Sequence, residues 1–238
     1  YRLIMSLLLL LSGNRASRNV TVSQLVRAYV GQTQVGATLD DSSASNVDGT
    51  ITNGTQTFDG GDLRKRYTDY TSSGYADLGA TPAIPATSAF TVACWVWGNN
   101  LTSYRPAFCQ AVIGDGVWIG ARDGNPYVLV GAQGIHTQIG MQPAVAVSDD
   151  AWHHLALTRS GAVWKLYLDG SLVDTVTDAD ATRSVYQCGC LIGAWGFATY
   201  NTSISFYWDG RIADMIIDNI ALSDADIAWL ASDENFLI

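Results

Sequence analysis

From Ser23 onward the chain alternates short apolar runs with polar clusters rich in Gly, Asp, Asn and Ser. Short runs rich in β-branched and aromatic residues, each closed by turn formers, predict strands rather than helices. Strands are expected over Leu25 to Val30, Thr50 to Thr52, Phe90 to Trp97, Ala151 to Thr158, Val163 to Leu168 and Leu172 to Thr177. More β structure is expected from Cys190 to Ala194 and from Phe206 to Ile220. Arg159-Ser160-Gly161-Ala162 closes one hairpin. Asp169-Gly170 closes the next, because that dipeptide tolerates positive φ at both central positions of a type I′ turn. A helix signal comes last, with Ser223 as N-cap before Ala225 to Leu230. The pattern predicts an all-β sandwich or barrel with a short C-terminal helix.

Strand periodicity decides what neighbouring residues can do together. His153 and His154 are adjacent in AWHHLALTRS, and successive side chains of a strand point to opposite faces. His153 then goes with Leu155 and Leu157, and His154 with Trp152 and Ala156. The rings diverge, and a metal site needs three or four converging ligands, so the pair is read as two separately hydrogen-bonded histidines. His136, the third histidine, lies in another segment. In Phe90 to Trp97, Phe90, Val92, Cys94 and Val96 share one face, and Trp95 and Trp97 share the other. One set faces the core; the other lies under a loop, under the N-terminal arm or on a binding surface, and intramolecular or intersubunit cover is the expectation.

The first residues break the pattern. Leu3 to Leu11 is apolar but about half the length that spans a bilayer, so no membrane span is expected. SGNRASR after it is a poor cleavage site, which disfavours a removed leader. Residues 1–23 are therefore expected to be a retained apolar arm, with Leu7, Leu8, Leu9, Leu10 and Leu11 docked on a neighbour, and residues 24–238 to be one sandwich domain.

Composition sharpens this picture. Of 22 acidic residues only Glu234 is a glutamate, and of 13 basic residues only Lys65 and Lys165 are lysines, so helix-surface residues are scarce. A net charge of −9 excludes nucleic acid as the ligand, because phosphate binding needs clustered cations. Cys94, Cys109, Cys188 and Cys190 follow no zinc spacing. Cys188 and Cys190 would share a face of one strand, and the pairing of the four stays open.

LVRAYV with LDDSSASNVDGTITNG, YADLG, FTVACWVW, WHHLALTRSGAVWKLYLDG and YWDGRIADMIIDNIALSDADIAWL follow one another over about residues 24–232. In this order the chain resembles the laminin-G-like, concanavalin A-like jelly roll. The resemblance implies an all-β, antiparallel two-sheet jelly-roll β-sandwich. It departs from the family at Ala213-Asp214, where an Asp-Glu pair is usual. The partner that the pentraxin branch provides for a cysteine at the place of Cys94 is also missing.

The glycosidases of this fold class need two carboxylates, and the Glu-x-Asp-x-x-Glu strand of their laminarinase-like branch cannot exist with one glutamate near the C-terminus. No enzyme is expected. The resemblance raises calcium, for which Asp40, Asp41, Asn46 and Asp48 share one loop, but Asx turns explain that loop better, and no cofactor is expected. Aromatic faces can stack on a sugar ring, and the candidates expected in loops are Trp118, flanked by Gly116 and Gly120, and Trp195, Phe197 and Tyr200. Two functions compete. One is a structural or attachment protein on the surface of a virus (phage) particle, its arm docked on sister subunits or on capsid or tail proteins. The alternative is a secreted or cell-surface carbohydrate-binding module, extracellular and directed at glycans.

Overall fold

The computed structural model describes residues 27–29, 37–58, 66–86, 89–112, 115–132, 135–180, 182–196 and 204–232. The early strands are β1 (Arg27–Tyr29), β2 (Thr38–Leu39), β3 (Gly49–Phe58), β4 (Arg66–Asp77) and β5 (Phe90–Trp97). A meander follows: β6 (Tyr104–Val112), β7 (Asp115–Arg122), β8 (Asn125–Ala132) and β9 (Ile135–Met141). Then come β10 (Trp152–Ser160), β11 (Val163–Leu168), β12 (Ser171–Thr177), β13 (Leu191–Ile192), β14 (Gly210–Asp218) and one helix, α1 (Asp224–Leu230). Hydrogen bonding runs β12-β11-β10-β5-β14-β4-β13-β6-β7-β8-β9, with β3 joining β4 to β2 and β1 on β14. Two-residue β13 is the hinge of this path, bonded to β4 on one side and β6 on the other.

The path folds back so that its halves face each other across one core. Val92, Cys94, Val96, Leu155, Leu157, Trp164 and Leu166 meet Phe108, Val117, Ile119, Val128, Val130 and Met141 there. Ends β9 and β12 touch, which closes the sandwich. This is the antiparallel jelly roll that the resemblance implies, and of the two architectures the pattern allows it is the sandwich. Gln110 reaches from β6 into the seam, fully buried. Its Oε1 accepts from the Ala83 and Ile84 amides at 2.9 and 2.7 Å, while Nε2 donates to Ile84 and Tyr186 carbonyls. One side chain thereby satisfies backbone groups of a buried linker that has no strand partner.

Both expected hairpins form. Asp169 and Gly170 have φ of 50° and 77°, and a Cβ on Gly170 would stand 2.9 Å from the Ala228 Cα of α1. Ser223 caps α1 in a capping box with Asp226, as expected. Elsewhere the pattern misplaces boundaries. The run read as Thr50 to Thr52 is the ten-residue β3, and Cys188 and Cys190 lie in an irregular approach to β13, not on a strand. A two-residue strand carries too little alternation to reveal itself. All four cysteines are free and buried; burial pushes the Cys94 and Cys109 thiols up to about 12 and Cys188 to about 11.

The larger sheet also carries an outer face. At one end α1 and the residue before its cap lay Ile227, Leu230 and Leu222 over Ala93, Ala156, Tyr167 and Ile216. At the other end Trp95 is buried beside Tyr67, Trp152 and Ala213, all strand residues of that same face. Trp95 is thus buried by its strand neighbours rather than by a loop, an arm or a subunit, while Trp97 stays half-exposed. The arm residues Leu7 to Leu11 lie outside the described residues.

Candidate functional site

The opposite outer face, that of β6 to β9, gathers the aromatic candidates. Register sets the arrangement. Trp118 stands between Cys109 and Leu129, Gly120 between Pro106 and Tyr127, and Arg122 between Tyr104 and Asn125. Directly opposed residues share a face, so Tyr104, Trp118, Arg122, Tyr127 and Leu129 project outward while Val117, Ile119 and Ala121 enter the core. A bulge between Pro106 and Phe108 sits opposite Gly120. There a Cβ would lie 2.1 Å from the Arg105 carbonyl oxygen, so only glycine lets the strands close.

A loop brings the remaining rings over this face. Trp195 and Ser205 form an isolated antiparallel bridge, and Phe206 follows with φ of 52°. Arg105 fastens the loop, its Nη1 donating to the Tyr207 carbonyl at 2.7 Å. Phe206 packs edge-on to Trp195 and Tyr104 with centroids 5.8 and 5.7 Å apart. Tyr104 meets Trp118 and Tyr127 at 5.6 and 5.8 Å, and Trp118 meets Tyr127 at 4.7 Å. The Arg122 guanidinium covers the rings of Tyr104 and Tyr127 at 4.8 and 5.4 Å. Each such ring contact contributes about 1 kcal/mol beyond area burial, so the cluster is held in place before any ligand arrives. Burial, reinforced by Tyr104, raises the Tyr127 pKa, so the phenol remains a protonated donor at neutral pH.

Exposure sorts the members into support and surface. Trp118 is 4% exposed and Phe206 43% exposed, with Tyr104 and Trp195 between them. Trp118 sits in the middle of β7, not in a loop as expected: Gly116 and Gly120 around it look like loop residues in sequence but serve close strand approach. Trp195 does lie in the loop, and the structure joins it to Trp118 through Phe206 and Tyr104. Tyr104, Tyr127 and Phe206 escape sequence reasoning because only the bulge and the returning loop bring them together. Phe197 and Tyr200 lie outside the described residues.

The other candidates resolve into structural chemistry. His153 and His154 diverge as expected. His153 bonds Asp169 through Nδ1 at 2.8 Å and Asp149 through Nε2 at 3.0 Å, whereas His154 is buried edge-on to Trp95. In the acidic loop both Asp41 oxygens accept from backbone amides, those of Ser43 and Val47 at 2.9 Å each. Asp48 accepts from the Asp41 amide at the same distance. Among the described residues no group of three His, Cys, Asp or Glu is gathered to hold a metal, and no helix is long and apolar enough to cross a membrane.

The chain is similar to the sushi, von Willebrand factor type A, EGF and pentraxin domain-containing protein 1. It is 26% identical to the Rattus norvegicus protein over 113 residues (46% of this chain) and 25% identical to the Mus musculus protein over 162 residues (63% of this chain). The chain spans only 3% and 4% of the length of these relatives. Among solved structures, the binding domain of Paraclostridial Mosquitocidal Protein 1 matches at a TM-score of 0.70 and 15% identity, over 90% of this chain and 53% of that one. Domain 4 of AbnA, an extracellular arabinanase of Geobacillus stearothermophilus solved with arabinotriose, matches at 0.68 and 20%, over 88% and 98%. Botulinum neurotoxin type C, whose cell entry depends on interaction with two ganglioside molecules, matches at 0.64 and 14%, over 88% and 51%. At these identities the structural matches establish fold alone. The family model covers residues 70–228, and the chain belongs to that family, Laminin_G_3 of the concanavalin A-like lectin/glucanases superfamily.

Proposed function

We propose that this domain is a non-enzymatic carbohydrate-binding module, working outside the cell, that stacks sugar rings on Phe206, Tyr104 and Trp195. One observation carries the reading: an exposed phenylalanine is fixed over a preassembled aromatic cluster, on a loop tied to a rigid sheet. A large apolar side chain left in water costs hydrophobic free energy, and its retention here fits a face that meets a ligand. Arg122, packed on two rings and 3.5 Å from Asp123, offers donors beside the stacking surface. Among the structural neighbours a toxin binding domain and an arabinanase domain solved with arabinotriose support a glycan as the partner. Attachment to a virus particle rests on Leu7 to Leu11, and the comparisons support the carbohydrate-binding reading better.

Calorimetry with arabinotriose, cellotriose, laminaritriose and sialyllactose tests the reading. Phe206→Ala and Tyr104→Ala should each weaken binding by about fivefold, the worth of one ring contact, without loss of fold. Equal affinity in wild type and both variants would move the binding site elsewhere, and hydrolysis of any of these sugars would contradict the non-enzymatic role.

A further inference from the structure

We propose a second oligosaccharide site, independent of the first, on the far side of the sandwich. Across four adjacent strands Trp152, Trp97, Arg211 and Asp69 stand directly opposite one another in a single row. Directly paired residues share a face, and strands lie about 4.8 Å apart, so the row spans about 14 Å, the reach of a short oligosaccharide laid across the strands. All four side chains are half-exposed. The Arg211 guanidinium is stacked on the rings of Trp97 and Tyr67 at 4.4 and 4.8 Å, which fixes its plane. Tyr67 packs in turn on Trp152, with centroids 5.7 Å apart.

The charged pair of the row is loosely engaged. Arg211 Nε is buried without a hydrogen-bond partner and stands 3.7 Å from Asp69, an ion pair beyond hydrogen-bond length. Next to the row, His154 is 3% exposed, and its Nδ1 also has no partner. Both atoms are enclosed by the side chains around them; the reachable polar edge of the row is the Arg211 and Asp69 side chains, 34% and 44% exposed. Two indoles offer flat apolar faces and N–H donors, a rigid guanidinium offers a donor fork, and an adjacent carboxylate accepts. Neighbouring hydroxyls on a sugar ring need this alternation of donor and acceptor beside an apolar face. The cation and anion compensate, so the row is electrically neutral and fits a neutral sugar rather than an anionic one. The half of the face under α1 is closed by the helix, which confines the ligand to this end.

The test is a titration of the indole N–H signals in ¹⁵N-labelled protein with cellotriose, laminaritriose, arabinotriose and sialyllactose. A neutral trisaccharide should shift the Trp97 and Trp152 signals, and should do so equally in Phe206→Ala, where the first site is weakened. Arg211→Gln should weaken that response about tenfold or more, the worth of a charged hydrogen bond, and leave the Trp195 response unchanged. Trp195 responding while Trp97 and Trp152 stay silent would overturn this site and leave the first intact. A response in Arg211→Gln equal to wild type, a response to sialyllactose alone, or shifts that follow protein concentration and thus report a second copy on this face would also overturn it. Silence of all three indoles toward every sugar would remove both sites.

Discussion

His153 and His154 are neighbours with opposite electrostatics. The hydrogen bond to Asp169 raises the pKa of His153; burial opposes it, and Asp149 adds to the rise. Burial lowers that of His154 to about 4. A histidine raised on folding adds stability that is complete below the ordinary value of about 6.5 and is lost as pH rises through its folded value. His154 acts in reverse: from about 6.5 down to about 4 the unfolded chain binds a proton the folded one refuses, so stability falls as pH falls. The stability gap between wild type and His153→Gln, read by urea denaturation, should narrow as pH rises from 6 to 9. Relative to wild type, His154→Gln should gain up to about 3 kcal/mol as pH falls from 7 to 4. A pH-independent gap in either variant would contradict the assignment. Alternation along one strand was enough to separate the two rings. Their partners were not legible, because Asp169 arrives from the far end of a hairpin and Trp95 from a strand more than fifty residues earlier.

Elements with strong local signals were readable, and elements made by distant contacts were not. The Asp169-Gly170 turn, the Phe90–Trp97 strand and the Ser223 cap are each written in a few adjacent residues, and each forms where expected. The aromatic cluster depends on a bulge in β6 and a bridge between Trp195 and Ser205, neither of which leaves a period in the sequence. Glycine was the misleading signal. Gly120 suggested a loop near Trp118, yet it is a point where two backbones approach too closely for any Cβ. Gly120→Ala should therefore cost about 2 kcal/mol or more in chemical denaturation, because the clash is with backbone rather than with a side chain that can move. The same substitution should perturb Tyr104 and Tyr127 across the bulge. A neutral Gly120→Ala would mean that the strands tolerate a wider spacing and that the cluster is less fixed than its ring contacts imply.

For the whole molecule, a closed sandwich presents two outer faces of different character. Over β6 to β9 a returning loop raises Phe206 above a preassembled cluster; on the larger sheet a helix covers one end and a row of half-exposed side chains occupies the other. The jelly roll was legible from segment order, and the family match over residues 70–228 agrees with it. Of the proposed ligand face only Trp118 and Trp195 were singled out in the sequence, since which side of a sandwich stays open depends on the loops laid over it. Sugar binding at the Phe206 face is best located by ¹⁵N NMR of the tryptophan indoles during titration with arabinotriose and the other trisaccharides. Trp195 should shift in a saturable manner together with its supporting neighbour Trp118, while core Trp164 and Trp208 stay still. Saturable sugar binding that leaves the Trp195 and Trp118 signals unmoved would contradict the assignment of this face.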